Sequence, residues 1–309
     1  MIDIFTKQNE KDSLDMLAAQ KQLYSDSKCW LLSTFTFGVV IPFALIVLSF
    51  LLYKYQPSFY CGIESTIETV KIFYGIFATI FVEVGSFFYI CHRAKATQIR
   101  EYFDVTLFDF DWNFPLAGDK PDLEDICRPK NKYLKKNGLL DDLLDWYHPE
   151  AKSIDYPQSI ITCQKQNICW DSFFRSKMIR LYVGGLVSIV LFCIWLGWLE
   201  DISLKEFVIQ FIPCMLPITL YAVRAIFEQI NSNMTLKNLK VGLRDINVTD
   251  LQDNVEEIKK QARYIQDGLY IHRKYSRPIP DLLHKCFKAK LEEETKEIIM
   301  KEKNKNFDS

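Results

Sequence analysis

Four apolar runs divide the chain, and charged blocks lie between them. From Cys29 to Tyr53 no charged residue interrupts "CWLLSTFTFGVVIPFALIVLSFLLY". A bilayer span needs about 20 apolar residues, so this run predicts a membrane helix over 29–53. Leu181 to Leu199 lies between Arg180 and Glu200 and predicts another over 181–199. A shorter run, Phe207 to Val223, carries Pro213 and Pro217. Membrane helices tolerate such prolines where neighbours cover the freed carbonyls, which predicts a span over 207–223. The remaining run, 66–91, holds Lys71 near one end and Glu83 further in, and is also read as a span.

Lysine and arginine near the span ends set the orientation. Lys21 and Lys28 precede the first span; Arg93, Lys95 and Arg100 follow the second. Arg175, Lys177 and Arg180 precede the third, and Arg224, Lys237, Lys240 and Arg244 follow the fourth. The two short connections carry Lys54 with Glu64, and Lys205 among Glu200, Asp201 and Glu206. Both termini and the middle segment are therefore expected in the cytoplasm. The predicted fold is an all-α membrane protein with four transmembrane helices. Its helical cytoplasmic domain is built from the N-terminal lead (1–28), the middle segment (92–180) and the C-terminal helices and tail (224–309). The membrane hairpins occupy 29–91 and 181–223.

Within the cytoplasmic parts the periodicity changes. The lead has Leu14, Leu17 and Tyr24 at helical spacing and runs on toward the first span. Residues 96–113, "ATQIREYFDVTLFDFDWN", predict a helix that breaks near Asp104 into an aromatic-rich loop. Pro115, Gly118, Pro121, Pro129 and Gly138 predict turns and loop over 113–138, with the basic run "RPKNKYLKK" as a solvated loop. Leu251, Val255, Ile258, Ala262, Ile265 and Leu269 form a heptad seam. It can pack on the middle segment or on another subunit. Thr249 with Gln252 offers a capping box ahead of it, and the mixed charges after residue 290 predict a helix fading into a tail.

Composition adds two constraints. The chain of 309 residues is 49% hydrophobic and 25% charged with net charge -1, so only local charge carries information. The nine cysteines form no CxxC pair and no zinc spacing, which predicts reduced thiols; Cys29, Cys91, Cys193 and Cys214 sit in or beside apolar runs as small hydrophobes. The apolar run beginning at Cys29 follows a polar, acid-containing lead, the wrong build for a cleaved leader. No HExxH, GxSxG, P-loop or GxGxxG occurs, and the four histidines are scattered, so a non-enzyme without a cofactor or metal is expected.

Four segments, "LAAQKQLYSDSK" (17–28), "ATQIREYFDVTLFDFDWN" (96–113), "CQKQNICWD" (163–171) and "IQDGLYIHRKYSRPIPD" (265–281), lie in this order around two pairs of spans. Together they resemble the SMODS-associated four-transmembrane effectors, and the resemblance covers nearly the whole chain. It implies a multi-pass protein of the bacterial inner membrane acting in anti-phage (CBASS) defence. A cyclic oligonucleotide made on infection would activate it, and it would then damage the membrane and stop growth. Its implied partners are the nucleotide, the lipid bilayer and further copies of itself, with no nucleic acid polymer. Lys165 departs from the Arg that such proteins often carry there, which removes a bidentate phosphate contact.

A cyclic nucleotide is held by cations at phosphate, amides at base edges and aromatic faces for stacking. Gln164, Lys165, Asn167, Trp170, Arg175 and Arg180 supply all three types, and Arg263 and Arg273 can join them if the helices pack. Against this, Asp171 and Arg175 are placed to pair with each other. Trp170 also falls on a core stripe with Ile160, Cys163, Asn167 and Phe174, and that reading is preferred for it; Asn167 on the stripe needs a polar partner. In the spans, Glu83 can line a pore, hold a cation or bond a neighbour, and Pro213 and Pro217 can form a hinge. Gly184, Gly185, Gly75 and Thr79 suit close helix packing. A constitutive channel or transporter subunit and a membrane-anchored scaffold are the competing readings.

Overall fold

The computed structural model describes residues 3–154, 156–199, 203–245 and 255–307, and among them there is helix and no strand. The helices are α1 (Ile4–Lys7), α2 (Lys11–Phe35), α3 (Ile41–Tyr55), α4 (Pro57–Phe108), α5 (Phe114–Ala117), α6 (Leu123–Asn137), α7 (Gln158–Leu199), α8 (Leu204–Asp245), α9 (Val255–Tyr275) and α10 (Asp281–Phe307). A π-helical turn, Thr36–Val40, joins α2 to α3 just ahead of Pro42, whose missing N–H cannot continue the ladder. Four helical stretches are long and apolar enough to cross a membrane: Lys11–Tyr55, Pro57–Phe108, Gln158–Leu199 and Phe211–Leu243. The protein is an all-α, multi-pass membrane protein.

The chain divides into two compact units. The spanning unit comprises Ser27–Cys91 and Lys177–Gln229. Within it α2 and α4 are antiparallel: Ser27 Oγ donates to the Tyr89 carbonyl, Trp30 stacks on Phe88, and Gly85 and Gly38 admit Thr34 and Val82. Helices α4 and α8 are parallel, for Gly75 meets Pro213 and Tyr89 donates to Glu228 at 2.6 Å. Pro217 cannot donate to the carbonyl of Pro213, four residues back. That freed carbonyl lies against Gly75, where an added Cβ would stand 2.2 Å from the oxygen. Gly184 and Gly185, expected to serve close packing, have no neighbour within 4 Å of an added Cβ. Only 11% of the apolar window of α7 is buried, so its glycines meet open space rather than a second helix. Cys193 and Cys214 are buried as expected of small hydrophobes; Cys29 and Cys91 are exposed, and all nine cysteines are free thiols.

The other unit comprises Met1–Asp26, His92–Ser176 and Ile230–Ser309. Its core joins Leu17 and Leu23 of α2, Ile99, Phe103 and Leu107 of α4, Ile160 and Ile161 of α7, Leu236 and Leu239 of α8, and Ile258, Ala262, Ile265 and Leu269 of α9. From Ile258 to Leu269 the heptad seam is thus buried within this unit of the chain, whereas Val255 is exposed. Gly268 lets α9 close on α8, since a Cβ there would lie 2.3 Å from Leu239 Cδ2. Leu251 and the Thr249–Gln252 cap lie outside the described residues.

Three local expectations are corrected. Helix α4 does not break near Asp104; it ends at Phe108, where Asp109 takes φ 58 and Phe110 N–H reaches the Val105 carbonyl at 3.0 Å, a left-handed C-terminal cap. Most of 113–138 is helix, because Asp122 and Asp125 form a reciprocal capping box that starts α6, and Pro129 is accommodated inside it. Two of its basic residues pair with α2: Lys130 with Asp15 at 3.0 Å and Lys132 with Asp26 at 2.8 Å. The C-terminal stretch is helical to Phe307.

Candidate functional site

The non-spanning unit encloses a polar network in its apolar core. Arg93, Thr97, Arg100 and Asp104 recur along one stripe of α4, and each is less than 5% exposed. Asp104 is the hub. Arg100 Nη2 lies 3.1 Å from Oδ1, Arg273 Nη1 of α9 donates to Oδ2 at 2.6 Å, and Tyr147 Oη donates to Oδ1 at 2.9 Å. Burial alone would push this carboxyl up, but the Arg100 and Arg273 guanidiniums and the Tyr147 hydroxyl outweigh it and hold it below the ordinary range. Asn167 Nδ2 of α7 donates to the same phenol oxygen at 3.1 Å, so its partly buried amide finds the partner the stripe required.

Glu101 extends the network sideways. Gln266 Nε2 donates to it at 2.7 Å and Arg263 Nη2 at 3.3 Å. Burial and then the neighbouring Asp104 charge push the Glu101 carboxyl up to about 7, further than Gln266, Arg263 and Arg273 pull it down. Gln164 Nε2 donates to the Ala262 carbonyl at 2.8 Å and ties α7 to α9. A second group lies further along: Asp171 pairs with Arg175 at 3.2 Å and with His272, and Arg175 also donates to the Arg277 carbonyl. Burial raises Asp171, but the cations beside it bring it well below the ordinary range; burial lowers His272 more than Asp171 raises it.

The sequence-predicted residues therefore do not gather in one place. Gln164, Asn167, Arg263 and Arg273 converge on one network, while Arg175 belongs to the Asp171–His272 group. Trp170 donates from Nε1 to Thr295 Oγ1 at 2.7 Å, with its ring 6.0 Å from that of His284, so it ties α7 to α10. Lys165 is half-buried on α7, and Arg180 is exposed within the spanning unit. Glu83 bonds Arg224 across α4 and α8 at 2.7 Å, a partner that sequence reading had assigned only to a span end.

An open cleft of about 770 Å³ lies between the end of α4 and the start of α9. Phe110, Trp112 and Asn113 line one side; Lys259, Lys260 and Arg263 line the other. Trp112 is held by its Nε1–H to the Gly118 carbonyl at 2.7 Å and by an edge contact with Tyr102. Arg263 stands over the Phe110 ring, 5.7 Å from its centroid, while bonded to Glu101 and Asp267. Lys259 pairs with Asp109 at 3.4 Å, and Asn113 Nδ2 with Asp267 at 3.1 Å. Five carboxylates face the cleft against three cations, so it carries no positive field of its own. Among the predicted residues only Arg263 both lines the cleft and touches the buried network. The aromatic loop after α4 was legible in sequence, but not its closure against α9.

Comparison with known proteins fits this architecture. The chain is 25% identical over 290 residues to a Bacillus cereus (strain VD146) protein named as a probable CBASS effector molecule, with 90% of each chain covered. No solved structure matches it. The family model described as the SMODS-associating 4TM effector domain matches residues 2–301, so this chain, with its four spanning helices and buried polar network, belongs to that family.

Proposed function

We propose that this CBASS-family membrane effector is switched on by a cyclic oligonucleotide bound in the cleft between α4 and α9, and that activation permeabilises the inner membrane. The non-spanning unit and both termini are then cytoplasmic, the side that the lysines and arginines flanking the spans favour. Family membership supports the signal and the membrane; the observation that carries the location is Arg263. It faces the cleft, stacks on Phe110, and is bonded to Glu101 of the network that reaches Asp104, Tyr147, Arg273 and Asn167.

A nucleotide phosphate would compete with Glu101 and Asp267 for Arg263, while Trp112 and Phe110 offer faces for bases and Asn113 an amide for their edges. Drawing Arg263 away leaves Glu101 beside Asp104 with one cation fewer, which disturbs contacts joining α4, α7 and α9. Helices α4 and α7 both extend into spans, so the reading gives the signal a continuous path. The protein acts here by binding, not by catalysis. Because acids outnumber cations in the cleft, recognition rests on stacking and short-range bonds, and affinity should depend only weakly on salt.

Calorimetry with a panel of cyclic di- and trinucleotides on the full chain in detergent tests this. One of them should bind the unsubstituted protein, and Trp112→Ala should weaken it about tenfold, in line with one lost base stack. Arg263→Ala should abolish binding. Affinity unchanged from the unsubstituted protein in both variants would place the ligand elsewhere.

A further inference from the structure

The spanning unit carries an ion pair on its outer face. Arg224 and Glu83 are 2.7 Å apart, and their side chains are 37% and 51% exposed. Along α4 at 1.5 Å per residue, Glu83 stands about 18 Å from Lys71 and about 15 Å from Arg93, well inside the apolar span. The parallel register of α4 and α8, with Gly75 at Pro213 and Tyr89 at Glu228, sets the two charges side by side at one depth. Around them Ile80 and Phe87 of α4 and Leu220 and Phe227 of α8 are exposed. Intramembrane charges face protein or water, because hydrocarbon offers them no hydrogen-bond partner.

We propose that a second copy of the chain packs on this face about a two-fold axis along the membrane normal. Such an axis exchanges two groups standing side by side at one depth. Glu83 of one copy then meets Arg224 of the partner subunit, and its own Arg224 meets Glu83 of the partner subunit, which closes a ring of four alternating charges. A lone charge, or two of one sign, would repel its own image; an opposite pair is self-complementary. The apolar side chains around the ring supply a dry rim. This inference is independent of the nucleotide reading and concerns the unliganded protein.

Differently tagged copies carrying Glu83→Arg and Arg224→Glu, purified in nanodiscs without nucleotide, test it. Each variant paired with itself assembles four like charges, while the mixed pair restores two of each sign. Mixed copies should co-purify about tenfold more than either variant with itself, because like charges brought together are strongly unfavourable. Equal recovery in all three pairings would overturn the proposal. If the single variants do not accumulate, a photo-crosslinking residue at Phe87 in the otherwise unsubstituted chain decides. A dimer band from Phe87 but not from Val187 of α7 supports the face. A band from Val187 alone, or a monomer mass in nanodiscs, contradicts it.

Discussion

Glu101 is the residue at which the buried network can be titrated. Its carboxyl is nearly solvent-free, and burial followed by the Asp104 charge raises it from 4.5 to about 7. A carboxyl raised on folding binds its proton more tightly in the folded state. The contribution of Glu101 to stability is therefore greatest below pH 4.5, falls as pH rises from 4.5 to about 7, and is lost above. The full difference amounts to about 3 kcal/mol. Glu101→Gln keeps an acceptor for Gln266 and removes the charge. It should flatten this slope and stabilise the protein at pH 8 by about 1–2 kcal/mol, the loss of the Arg263 pairing offsetting part of the gain. Thermal melting in detergent at pH 5, 6, 7 and 8 measures it; an unchanged slope would show that Glu101 is ionised throughout. The network was only half legible beforehand. Asn167 stood out as an amide on an apolar stripe, and Arg263 and Arg273 as cations on the α9 helix. In sequence Arg100 reads as a span-end cation and Asp104 as the place where a helix breaks, and nothing marks Glu101, because their burial depends on Tyr147, which lies in an irregular segment that periodicity does not place.

At the scale of elements, the membrane helices were readable because their length and apolarity are local properties. What the sequence left hidden is how they pair. Pro217 announces a freed carbonyl but not what covers it, and the covering residue is Gly75, on another helix. Gly75→Ala forces a Cβ against backbone, which cannot swing aside, and should destabilise the spanning unit by about 1–3 kcal/mol. Gly184→Ala, with nothing within 4 Å, should lie within about 0.5 kcal/mol of the unsubstituted protein. Melting both variants in one detergent compares them directly, and equal losses would remove the α4–α8 contact from the account. The misread loop over 113–138 has a similar cause. Its prolines and glycines argue for turns, whereas the Asp122–Asp125 box and the ion pairs of α6 with α2 outweigh them.

For the whole molecule, four spanning helices and a helical unit of three chain segments follow from the alternation of apolar and charged blocks, and the family adds the setting of anti-phage defence. The cleft was not legible, since its walls, residues 110–113 and 256–263, are far apart in the chain and meet only through the tertiary packing of α9 on α4. The proposed sequence of events starts with nucleotide in the cleft, continues with Arg263 leaving Glu101, and ends with a rearranged spanning unit. Its most direct test is dye release from liposomes holding the purified full chain, recorded before and after addition of the cyclic oligonucleotide that calorimetry identifies. That sequence of events predicts tight liposomes without nucleotide, release on its addition, and no response from Arg263→Ala. Release of equal rate with and without nucleotide would contradict it.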